Sequence, residues 1–181
     1  VITRSLKLGR REHESQAEWR EAAYSDDEIY RYRLDITFDP ENPRTLVTIG
    51  LNPSTATENK DDPTIRVCKR MAKDLDCGTY RMLNAFAFRS TDYKALFRNP
   101  DPIGPENTLE YLRYWCDGAT VVACWGAHIT ERPWRHFYRG REIAAAIPNL
   151  QALKVTQSGH PHHPLYLPVD IRLQPFAYAI D

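Results

Sequence analysis

The apolar and polar positions of the chain follow two periods in turn. Residues 30–38 run Tyr30, Arg31, Tyr32, Arg33, Leu34, Asp35, Ile36, Thr37, Phe38. A large apolar side chain at every second position predicts a half-buried strand, because successive strand residues face opposite ways. Residues 39–44 hold two prolines and mark a turn. The β-branched run at 45–51 predicts a buried strand. The period then changes. Asp62 and Pro63 suit the cap and first position of a helix, Ile65, Cys68, Met71, Ala72 and Leu75 follow at helical spacing, and Gly78 stops it. A second strand is predicted at 79–87, a short helix at 91–97 and a longer one at 105–117. A third strand follows at 119–125, helix in the second half of 133–147, a fourth strand at 150–156 and an edge segment in the tail. The charged residues 1–28 read as an arm, with a helix over 12–23, ahead of a domain at 29–181.

Strands that alternate with helices of this length predict an α/β fold, a mostly parallel sheet covered by helices on both faces. Such sheets bind ligands beyond the carboxyl ends of their strands. Four unusual loops follow the predicted strands, at 52–62, 84–90, 125–128 and 158–166. Parallel strands would carry all four to one edge of the sheet, and so to one site.

Composition narrows the class. The chain has 181 residues, enough for one domain, with 42% hydrophobic residues. Lys and Arg number 24, as do Asp and Glu. That balance argues against a purely electrostatic nucleic-acid binder and leaves room for an enzyme with a local basic cleft. No apolar run approaches the length of a membrane span, and none follows the basic N-terminus as an export signal would require. The four cysteines form no Cys-x-x-Cys pair, which predicts free buried thiols. A cytoplasmic monomer without a cofactor is expected.

The candidate chemistry lies in the four loops. Leu51, Asn52, Pro53, Ser54 and Thr55 form a sharp turn able to hold a water or approach a sugar or phosphate. Asn84 sits in an apolar strand, where a carboxamide needs a partner, and it offers the donor and acceptor that complement a pyrimidine edge. Phe86 and Phe88 could stack on a base or belong to the core. Trp125 and Gly126 allow a close backbone approach. His160 and His163 flank a proline-stiffened loop and suit acid–base work, a base contact or a metal. Arg132, Arg135 and Arg139 interleave with aromatics, as in a phosphate-binding surface or a solvated helix face. Asp61 and Asp62 could orient a water, with capping the simpler role for Asp62.

In order and type these motifs resemble the uracil-DNA glycosylase superfamily, over about two thirds of the chain. Gly50-Leu51-Asn52-Pro53-Ser54 is similar to its water-activating loop, in the branch with Asn there. Met82-Leu83-Asn84-Ala85 is similar to its base-recognition strand, Val122-Ala123-Cys124-Trp125-Gly126 to its Leu-Leu-Trp-Gly strand, and His160-Pro161-His162-His163-Pro164-Leu165 to its His-Pro-Ser-Pro-Leu loop. The whole pattern also resembles an uncharacterised bacterial and phage family. The superfamily resemblance implies a three-layer α/β/α sandwich. It implies an N-glycosylase-type hydrolase that acts on a pyrimidine in DNA or a nucleotide. Asn52 would position water, Asn84 would pair with the base, and His160 or His163 would steady the leaving anion. The chain departs from the pattern in two ways: its first motif has no carboxylate, and its last loop is longer and carries extra histidines. A non-catalytic base-recognition module and a metal-assisted hydrolase built on the histidine loop are the alternatives.

Overall fold

A computed structural model describes residues 5–6, 9–11, 18–54, 61–130, 136–167 and 172–179. Its strands are β1 (Ser5–Leu6), β2 (Gly9–Arg11), β3 (Glu18–Tyr24), β4 (Arg31–Thr37), β5 (Thr45–Gly50), β6 (Thr79–Asn84), β7 (Thr120–Ala123), β8 (Gln151–Ala152) and β9 (Gln174–Pro175). The helices are α1 (Pro63–Asp74), α2 (Ala95–Arg98), α3 (Leu109–Cys116) and α4 (Arg139–Ala146), with 3₁₀ turns at Ala127–Thr130 and Pro164–Tyr166. Among the described residues, no helix is long and apolar enough to cross a membrane.

The strands form one sheet in the order β1-β3-β4-β6-β5-β7-β8-β9, with β2 also on β3. The fold is α/β, and the sheet is mixed rather than mostly parallel. Only its centre, β6-β5-β7-β8, runs parallel; β4, β3 and the strands beyond them, and β9 at the far edge, pair antiparallel.

Alternation across the central strands builds two cores. Leu46, Tyr80, Met82 and Val122 point to one face, where Ile65, Cys68 and Ala72 of α1 cover them. Val47, Ile49, Leu83, Val121 and Ala123 point to the other, against Leu112 of α3 and Ile143 of α4. Helix α1 begins where the sequence predicts: Asp62 accepts a hydrogen bond from the Ile65 N–H at 2.8 Å, and Pro63 fills a position that needs no donor. The chain leaves β5 for β6 on one side and returns to β7 on the other. The order therefore reverses at β5, and a crevice opens at its carboxyl end.

Two further expectations are corrected. The helix over 12–23 is a strand wherever it is described. Arg20, Ala22 and Tyr24 alternate inward on β3, and the charges that suggest a solvated helix form networks across the sheet. Glu21 pairs with Arg33 on β4, and Glu18 and Asp61 hold Arg20 and Lys69. The second correction is to length: β6 ends at Asn84 and β8 spans two residues, so the strand-end loops begin earlier than the β-rich sequence suggests.

Candidate functional site

The strand-end loops are tied together by their backbones. The Ala85 and Phe86 N–H groups donate to the carbonyls of Gly50 and Leu51, Ser90 N–H to Pro53, Cys124 N–H to Ile49, and Gly126 N–H to Pro161. These bonds join the loops after β5, β6 and β7 and the histidine loop around a cavity of about 440 Å³. Leu51, Asn52, Ser54, Asn84, Trp125, Gly126 and His163 lie on its wall.

Asn84 ends β6 opposite Gly50 and is 2% exposed. Its Oδ1 is buried and has no hydrogen-bond partner among the described residues. Gly50 makes room for this group, because a Cβ there would stand 2.8 Å from Oδ1. The backbone under Asn84 is braced from behind. Asn107 donates to the carbonyls of Asn84 and Ala85, and the Arg139 guanidinium donates to those of Ala85 and Asn107. The end of the strand is thus fixed, while the carboxamide oxygen it carries is left without a partner. Such a group lowers stability unless something satisfies it, so it points to a ligand.

Asn52 is held by its amide hydrogens, which donate to the carbonyls of Ser90 at 2.8 Å and Pro53 at 3.1 Å. That orientation leaves the carbonyl oxygen of its side chain as an acceptor. His163 Nδ1 accepts from Leu165 N–H, so the proton of the neutral ring sits on Nε2. Burial holds the His163 pKa below the usual imidazole value, opposed by the nearby Asp62 carboxylate. The ring is a neutral hydrogen-bond donor at neutral pH. Burial also pushes the Cys68 thiol on the same wall up to about 12 and raises that of Cys124, so neither supplies a thiolate.

Other candidates lie elsewhere. His160 bonds Tyr178 Oη through Nδ1 and Thr130 Oγ1 through Nε2, and Tyr178 also accepts from Trp125 Nε1. It braces the wall from outside. Pro53 is buried in its turn. Phe86 is fully buried core, edge-on to His136, and Phe88 packs against Tyr30; neither faces the cavity. Arg139 is interior, 5% exposed, and bonded to backbone carbonyls rather than placed on a phosphate-facing surface. Thr55, Arg132 and Arg135 lie outside the described residues. Among the described residues, no three His, Cys, Asp or Glu side chains gather closely enough to hold a metal ion.

The profile of a family described as "Protein of unknown function (DUF1643)" matches residues 31–165, about three quarters of the chain. The chain belongs to DUF1643. The span that defines its membership in DUF1643 opens at Arg31 and closes one residue past Pro164, so it contains every residue on the cavity wall. No curated protein and no solved structure matches the chain.

The sequence reading missed several lining residues. Tyr93 stacks on His128 with ring centroids 4.1 Å apart, and both rings face the cavity. Asp62, which the sequence offers as a water-orienting carboxylate or a cap, lies on the wall as well as capping α1. Arg31, which the sequence marks only as part of the alternating strand at 30–38, lines the cavity as well. The Tyr93–His128 pair could not be read locally, since 35 positions separate its members in the chain.

Proposed function

We propose that the strand-end cavity of this DUF1643 protein receives a pyrimidine base, within the three-layer α/β/α arrangement of the uracil-DNA glycosylase superfamily. We propose further that it cleaves the N-glycosidic bond of that base in DNA or a nucleotide. The observation that carries this reading is Asn84: a buried carboxamide without a partner, on the same wall as Asn52 and His163. A carboxamide presents one donor and one acceptor side by side, which matches the adjacent N–H and C=O of a uracil-type edge.

The chemistry then follows from position. The base leaves the stack and enters the cavity, at a cost of a few kcal/mol. The Tyr93–His128 pair offers the stacking face that Phe86 and Phe88 do not. The Asn52 carbonyl oxygen orients a water toward C1′ of the sugar. As the water oxygen bonds to C1′, the bond from C1′ to the ring nitrogen breaks and the base keeps the electron pair. His163 Nε2–H donates to the base oxygen where negative charge collects, the stabilisation that oxyanion sites provide. Asp62 supplies the carboxylate absent from the first motif. One of its oxygens caps α1, and in this reading the other takes the water proton.

The test is mass spectrometry of bases released from DNA and nucleotides that carry unmodified and modified pyrimidines. Native protein is expected to free a pyrimidine. Asn52→Ala is expected to slow release about a hundredfold or more while binding persists. Release by Asn52→Ala at the native rate would overturn the role of Asn52. Binding by native protein with no release from any substrate would leave a recognition module in place of an enzyme.

A further inference from the structure

Four arginines among the described residues are buried: Arg20, Arg31, Arg33 and Arg139. Three are paired with carboxylates of the protein, although the Nε of Arg33 also lacks a hydrogen-bond partner. Arg20 pairs with Glu18 and Asp61, Arg33 with Glu21 and Asp35, and Arg139 with two carbonyls and Glu142. Arg31 is not. It is 3% exposed, its Nε is buried without a partner, and its side chain meets only neutral acceptors, the Met82 sulfur at 3.6 Å and the Tyr24 hydroxyl. No carboxylate pairs with it among the described residues, and Asp62, on the same cavity wall, forms no ion pair with it.

A guanidinium keeps its charge in proteins, and a buried charge without a counter-ion is costly. Burial lowers the Arg31 pKa from the usual arginine value, and the neighbouring Arg89 adds to that effect. The chain builds this costly position with a specific device. On β3, Ala23 pairs with Arg33 and Tyr24 pairs with Arg31, so Tyr32 is an extra residue on β4. This bulge turns Tyr32 toward Tyr111 of α3 and returns Arg31 to the face of Met82, where it lines the cavity. Bulges re-aim side chains in this way beside functional sites.

We propose that Arg31 is the anion seat of the cavity, so that the ligand carries a phosphate or carboxylate oxyanion beside its pyrimidine edge. The inference rests on the reading of the cavity as a pyrimidine site, and it narrows the substrate class to anionic pyrimidines. Two sources supply the same chemistry: the phosphate of a nucleotide, or a carboxylate borne by the base itself.

Calorimetric titration of native protein, Arg31→Met and Asn84→Ala with four probes separates them: uridine, uridine monophosphate, uracil and orotate, a uracil that bears a carboxylate. Native protein is expected to bind one anionic probe about tenfold or more tighter than its neutral counterpart, as a charge-assisted hydrogen bond implies. The preferred pair identifies the source, phosphate or carboxylate. In Arg31→Met the gap is expected to close while neutral binding holds. The ligand-free variant is expected to melt no lower than native protein, since it removes an uncompensated buried charge. Equal binding of anionic and neutral probes by native protein overturns the proposal without any variant. A gap unchanged in Arg31→Met also overturns it, as does the absence of binding by either anion.

Inorganic phosphate and adenosine monophosphate separate the two readings. If they bind as tightly as uridine monophosphate and depend equally on Arg31, the anion seat stands and the pyrimidine reading falls. If neutral pyrimidines bind through Asn84 with no anionic advantage, the pyrimidine reading stands and the anion seat falls.

Discussion

Asn84 and Gly50 act as one unit. The glycine at the end of β5 leaves the space that the Asn84 carboxamide fills, and a methyl group there would stand 2.8 Å from its oxygen. Gly50→Ala should turn that carboxamide away and weaken pyrimidine binding about tenfold or more, a change that titration against native protein would measure. The histidines make a second prediction at this scale. Burial lowers the pKa of both His160 and His163 below the ordinary value of 6.5, Arg141 adding to the effect at His160. The unfolded chain then binds protons that the folded one resists. The stability these rings contribute is complete above about pH 6.5 and is lost as pH falls from there through their depressed folded values. Urea midpoints measured through that window should fall with pH, and His163→Gln should flatten part of the slope. A flat profile in native protein would show that the rings are not held neutral.

At the scale of elements, the bulge in β4 decides what the strand does. Strict alternation from Tyr30 to Phe38 predicts the strand correctly and places Arg31 outward with Arg33. One extra residue, Tyr32, reverses that at the cavity end. A bulge leaves no clear mark in an alternating sequence, which is why Arg31 was not read as a site residue. The element α1 was legible because Asp62, Pro63 and the apolar spacing agree. Strand β3 was not, because its paired charges read equally well as a helix face until the partners Arg33 and Asp61 are known. The cavity residues at strand ends were legible through the rule for parallel sheets, whereas the support behind them was not. Arg139 looked like a phosphate contact and is instead the brace of the Ala85 and Asn107 carbonyls. Arg139→Met should therefore destabilise the protein by about 2 kcal/mol, because the Asn107 carbonyl is left unpaired in the interior while the Ala85 carbonyl keeps its bond from Asn107. Chemical denaturation would check this; a loss of only a few tenths would return Arg139 to the surface role that its sequence context suggests.

For the whole molecule, the parallel centre and the reversal of strand order at β5 gather residues from Arg31 to Pro164 around one cavity. The antiparallel strands on the β4 side do more than extend the sheet, since β4 contributes Arg31 to the wall. The architecture thus joins a neutral polar edge, Asn84, to a buried cation within one space. The most direct measurement of its central claim is the side-chain amide resonance of Asn84 in isotope-labelled protein titrated with uridine monophosphate. The account predicts a saturable shift of that resonance, absent in Asn84→Ala, with the amide of Asn42, which is bonded to the Asp76 carbonyl away from the cavity, unmoved. An Asn84 resonance that stays in place while the nucleotide binds would contradict it.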